Sequence, residues 1–134
     1  MSILVGYVPT PVGEAAVRAA IEEARLRDEP LLIVNSVREG ALADKTVASD
    51  DDLRRVTDAA TAAGVAHSVL QPSHRDDLAQ EILDLAREHD VSRIVIGLRH
   101  RSQVGKFIMG SHAQRILLQA DRPVLAVKEL DGNF

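Results

Sequence analysis

Cysteine is absent from the 134-residue chain. That excludes disulfides, thiolate metal ligands and cysteine nucleophiles together. Aromatic residues make up only 2%, with one tyrosine and no tryptophan, so the rings that a base-stacking surface relies on are missing. A basic excess is missing too. The net charge is −4, where a duplex-binding domain carries a surplus of lysine and arginine. The first residues, MSILVGYV, have no positive n-region, and their apolar run is too short for a signal peptide or a membrane span. The expectation is a cytoplasmic protein that binds neither nucleic acid nor membrane.

What is present is an ordinary folding composition, 46% hydrophobic and 27% charged, in a length that suits one domain with a single sizeable core. With so few rings, valine, isoleucine, leucine and alanine must build that core. The domain is expected over residues 1–130, with 131–134 as a tail.

Apolar runs alternate with helical periods along the chain. Residues 2–8 read as a buried first strand, nearly continuous in apolar residues as a strand covered on both faces should be. Thr10 before Pro11 suits an N-cap with proline in the first turn. The helix that follows turns Val17, Ile21 and Ala24 inward, and Pro30 stops it. Residues 31–37 form a second strand and 38–46 a loop. Ser49 with Asp50–Asp52 then opens a helix whose acidic first turn meets the positive end of the helix dipole. Its stripe is Leu53, Val56, Ala60 and Ala63, with Gly64 placed to end it. A third strand is expected over 65–70. Residues 73–77 open a helix carrying Leu78, Ile82 and Leu85. A fourth strand at 93–97, a helix at 111–120 and a fifth strand at 123–128 complete the pattern. Alternation of this kind demands a parallel α/β sheet with right-handed crossovers and helices on both faces. In such sheets ligands sit outside the carboxyl ends of the strands, where the strand order reverses.

The chemistry concentrates in residues 94–115, IVIGLRHRSQVGKFIMGSHAQR. A buried strand ends at Gly97, a basic loop with Arg99, His100, Arg101 and Lys106 follows, and order resumes at Gly110-Ser111 before a helical pattern. The first turn of a helix offers unpaired N–H groups and partial positive charge, and a glycine before it lets an anion approach the backbone. Ser111 with Gln114 fits a capping box.

Sharper motifs fail here. A P-loop ending at Gly105-Lys106 would need a glycine at His100 and a hydroxyl at Phe107. The histidines His67, His74, His89, His100 and His112 show no metal-ligand spacing. Ser111 and His112 are adjacent on a helix and do not face each other, so no nucleophile is primed. The expectation is therefore a site without catalytic residues or metal ligands.

The same residues resemble the universal stress protein family. Its glycine motif, G-x2-G-x9-G-[ST], lies between the fourth strand and the last helix, and here Gly97, Gly110 and Ser111 hold three of the four positions while His100 holds the second. The segment from Arg101 through PVLAVK at 123–128 is similar as well. The resemblance implies a doubly wound five-stranded parallel sheet in the order 3-2-1-4-5 that binds ATP or a related adenine nucleotide, with or without magnesium, and pairs as a homodimer through the last strand. Position by position, Gly97 and His100 would shape the loop around ribose and phosphates, with Arg99 and its basic neighbours supplying side-chain cations. Gly110, Ser111 and the amide of His112 would hold phosphate oxygens. Tyr7, Val8 and Ser36 would border the adenine. Val8 stands where the family usually has an aspartate. The implied task is regulatory, without more than slow incidental hydrolysis; the alternative is a scaffold of the same fold that binds protein partners and no nucleotide. Independently of the resemblance, a last strand that stays apolar to its end invites pairing with a second copy.

Overall fold

The computed structural model describes residues 1–38, 47–74, 77–98 and 110–128. Along them run β1 (Ile3–Gly6), α1 (Pro11–Arg27), β2 (Leu31–Val34), β3 (Val37–Arg38), α2 (Asp50–Ala62) and β4 (His67–Leu70). Then come β5 (Ser73–His74), α3 (Leu78–Glu88), β6 (Arg93–Leu98), α4 (Ser111–Gln119) and β7 (Val124–Lys128). The longer strands form one five-stranded sheet, β4-β2-β1-β6-β7, in which every pairing is parallel. Counted along the chain, this is the expected order 3-2-1-4-5.

The near-continuous apolar runs fill two cores because alternate residues face opposite ways. Ile3, Val5, Ile33 and Val95 pack with Val17, Ile21 and Val56 of α1 and α2. Leu4, Leu32, Ile94 and Ile96 pack with Ile82 of α3 and Ile116 of α4. Burying each such side chain contributes about 1.5–3 kcal/mol.

Helix starts follow the sequence closely in two cases. Thr10 caps α1, its hydroxyl accepting from the Gly13 N–H at 3.1 Å, with Pro11 in the first turn. Ser49 and Asp52 close a reciprocal capping box on α2, and Gly64, at φ +73°, follows its end in the left-handed conformation that glycine adopts without cost.

Three expectations are corrected. The second strand does not run unbroken to residue 37, and Arg38 is not loop, because Asn35 and Ser36 separate β2 from β3. Residues 73–77 do not open a helix together, since Ser73 and His74 form β5, which pairs in parallel with β3, and the α3 cap is Asp77. One cause serves both. The main ladder lasts to the Asn35 N–H bonded to the Leu70 carbonyl at 2.9 Å, after which Pro72 has no N–H to continue it. The two neighbouring strands break together and resume pairing as the short β3–β5 ribbon. The third correction concerns the last helix. Gly110, extended at φ −64° and ψ 154°, is the N-cap, and no side chain caps the start. Ser111 is thus the first helical residue, one position too late for its capping box with Gln114. The expected loop at 39–46 and the tail at 131–134 lie outside the described residues. No helix among the described residues is long and apolar enough to cross a membrane.

Candidate functional site

A cleft of about 350 Å³ opens at the carboxyl ends of β1 and β6, the neighbouring pair at which the strand order reverses. The strand ends contribute Gly6, Tyr7, Val8, Val34, Ser36, Ile96 and Gly97. The helices contribute Val12 and Gly13 of α1, Leu78 and Ile82 of α3, and His112, Ala113 and Ile116 of α4. The lining is apolar apart from Ser36, His112 and Tyr7. Such a surface suits a flat, weakly polar ring system with one charged end, the usual build of a small-molecule site.

Two glycines make the cleft possible. A Cβ on Gly13 would lie 1.8 Å from the Val8 carbonyl oxygen, so the turn from β1 into α1 closes only with hydrogen there. A Cβ on Gly97 would come 3.0 Å from the Val12 carbonyl oxygen, which lets the start of α1 lie down against β6. Gly110 differs, with nothing among the described residues within 4 Å of its would-be Cβ. Among the described residues, the start of α4 carries no side-chain cap, and it lies next to a cleft that His112 lines. No side chain among the described residues competes with an anion for its first N–H groups.

Behind the cleft, the sequence reading missed an organising residue. Asn35 is wholly buried. Its Nδ2 donates to the Tyr7 carbonyl at 2.9 Å, and its Oδ1 accepts from the Ala48 N–H at 2.9 Å and from Gln71 Nε2 at 3.0 Å. It ties the end of β1 to the approach of α2 and the end of β4. A polar residue inside an apolar run, LLIVNSV, was the available signal.

Tyr7 lines the cleft, but its ring belongs to the core beneath α1 and α2. Its hydroxyl is buried with no hydrogen-bond partner among the described residues. Burial, and then the carboxylates of Glu14 and Asp52, push its pKa up to about 12, while the Arg55 guanidinium pulls the other way. Arg55 itself bridges α1 and α2, with Nε donating to Glu14 Oε1 at 2.6 Å and Nη2 to Asp52 Oδ1 at 3.0 Å.

Of the residues expected to form the site, Tyr7, Val8, Ser36, Gly97 and His112 are brought together around the cleft. Gly110 and Ser111 adjoin it at the start of α4 without lining it. Arg99 and His100, with Arg101 and Lys106, lie outside the described residues. The contribution of α3 was not foreseen. Among the described residues no group of three or more histidine, aspartate or glutamate side chains could hold a metal ion.

Residues 1–128 match the universal stress protein family. The chain belongs to that family. A universal stress protein of Mycolicibacterium smegmatis is 41% identical over 126 residues, covering 94% of this chain and 96% of that protein. Among solved structures, a universal stress protein from Archaeoglobus fulgidus superposes with a TM-score of 0.80 at 32% identity, covering 96% of this chain and 98% of the other. A structure of the universal stress protein from Archaeoglobus fulgidus in complex with dAMP superposes with a TM-score of 0.75 at 27% identity, again over 96% and 98% of the two chains. The universal stress protein fold thus extends over nearly the whole chain.

Proposed function

We propose that this universal stress protein is a regulatory module that holds an adenine nucleotide in the cleft between β1 and β6. The observation that carries the reading is the open start of α4. Among the described residues, nothing crowds Gly110 and no side chain occupies the first N–H groups, and the neighbouring His112 lines an apolar cleft of suitable size. The base lies against Val8, Val34 and Ile96, the ribose near Gly97, and the phosphates at Gly110, Ser111 and the His112 amide. Arg99 and His100, with Arg101 and Lys106, supply positive charge from the connection between β6 and α4. The dAMP complex of the Archaeoglobus fulgidus relative supports adenine recognition within the family. ATP, with or without magnesium, and AMP share the adenosine and phosphate chemistry that this cleft offers. Ser111 and His112, the hydroxyl and imidazole at the phosphate end, are neighbours on the helix and do not face each other, so in this reading the module signals by occupancy and any hydrolysis is slow and incidental.

In this reading the protein works in the cytoplasm as a homodimer. β7 lies at the sheet edge with β6 as its neighbour, and Val124, Leu125 and Val127 keep it apolar. Two such edges pair most economically with each other. Sedimentation of the purified chain gives a dimer in this account and a monomer at every concentration if the edge is otherwise covered.

Gly110→Asp tests the phosphate site. A carboxylate there repels phosphate, so affinity is lost while the circular dichroism spectrum stays that of the wild type. A folded variant with unchanged affinity rejects the site. A second reading, a scaffold that binds protein partners and no nucleotide, is favoured by Val8, which puts an isopropyl group into the cleft where a carboxylate would contact a ligand hydroxyl.

A further inference from the structure

α4 carries the proposed phosphate end and packs on the core through Ile116 with the half-buried Ala113 and Leu117. Ile116 is its one buried residue. A polar clamp to α3 adds to this apolar packing. Arg115 Nη1 pairs with Asp77 Oδ2, and Nη2 donates to Gln80 Oε1 at 2.7 Å. The second oxygen of Asp77 accepts the Gln80 N–H at 3.0 Å. One carboxylate therefore caps α3 and fastens α4 at the same time. The guanidinium fork is suited to this because it fixes direction as well as distance. None of Asp77, Gln80 and Arg115 lines the cleft, but each neighbours residues that do: Leu78 and Ile82 on α3, His112 and Ile116 on α4.

We propose that Asp77 and Arg115 are positioning residues for the phosphate-binding end of the cleft. By locking α4 to the first turn of α3 they set where the open N–H groups after Gly110 stand relative to the strand ends that hold the base. Hydrogen bonds to phosphate weaken steeply with misalignment, whereas apolar contact with an adenine ring tolerates small shifts. The clamp thus governs recognition of the phosphate and leaves recognition of the nucleoside almost untouched. This rests on the nucleotide reading above.

The test compares AMP with adenosine, the latter measured by competition, in the wild-type chain and in Asp77→Asn and Arg115→Gln. Asparagine is as good an N-cap as aspartate, so Asp77→Asn keeps the α3 cap and removes the charge that holds Arg115. In both variants AMP affinity falls about tenfold, adenosine affinity stays within about twofold, and Arg115→Lys recovers part of the AMP loss. A role confined to stability lowers the melting temperature but leaves the AMP-to-adenosine ratio at its wild-type value, and that result overturns the proposal while the nucleotide reading stands. Wild-type protein that takes up neither compound overturns both.

Discussion

The side-chain amide of Asn35 donates to the backbone carbonyl of Tyr7 across 2.9 Å, inside the protein and at the end of the first strand. That bond orients the chain just where it turns towards Val8 and the cleft. Because the same side chain accepts from Ala48 and Gln71, replacing it with alanine strands the Tyr7 carbonyl and the Ala48 N–H together. Asn35→Ala is expected to cost about 2–6 kcal/mol, one desolvation penalty for each of the two. Urea unfolding measures it, and a loss below about 1 kcal/mol would show that water takes over the role.

The glycines of the cleft should separate by mutation. Gly13→Ala drives a methyl into the Val8 carbonyl and can be relieved only by moving backbone. It should destabilise by about 3 kcal/mol or more, at the upper end for overpacking. Gly110→Ala meets no atom of the described residues and gives up only some N-cap preference, about 1 kcal/mol or less. Equal losses at the two positions would contradict the close approach of α1 to β1.

Tyr7 is the single tyrosine in a chain without tryptophan, so its phenolate absorbance reports one residue. Titration of the folded protein should give a midpoint of about 12 against the ordinary 10.0. The folded state holds the proton more tightly than the unfolded one, so the unfolded chain binds fewer protons as the pH passes 10. The stability that Tyr7 contributes is complete below about pH 10 and is lost as the pH rises towards 12. A midpoint at the ordinary value would mean that the hydroxyl is solvated.

At the other end of the scale, Asp52 is held below its ordinary pKa of 3.8, first by the Ser49 backbone N–H and then by Arg55. Its contribution to the α2 start is present above pH 3.8 and falls away as the carboxylate protonates on acidification. In Asp52→Asn the acid limb of the stability curve should be shallower than in the wild type. Superimposable limbs would contradict the capping box.

The long elements are legible from sequence because each is fixed by a local signal that tertiary contacts reinforce. Thr10-Pro11 and Ser49 with Asp52 announce helix starts, and the runs at 3–6, 31–34 and 93–98 are apolar on both faces because both faces are covered. The breaks are less legible. That LLIVNSV stops pairing at Asn35 depends on Pro72, which lies between β4 and β5 far along the chain, and no window on one strand contains both. Gly110 rather than Ser111 became the α4 cap because two capping residues stood side by side and local preference could not rank them. Within the site, the glycine motif pointed to β6 and α4, but Leu78 and Ile82 reach the cleft only through the packing of α3. Gly13 carried a readable hint, a glycine in the first turn of a helix, where it weakens the helix unless space requires it.

Whether the cleft between β1 and β6 holds an adenine nucleotide is decided by calorimetric titration of the purified, ligand-stripped protein with AMP and with ATP, each with and without magnesium. The account predicts saturable binding in the micromolar range at one site per chain, lost in Gly110→Asp. No heat of binding with any of these ligands, from a protein that also releases no adenine compound on denaturation, would contradict it.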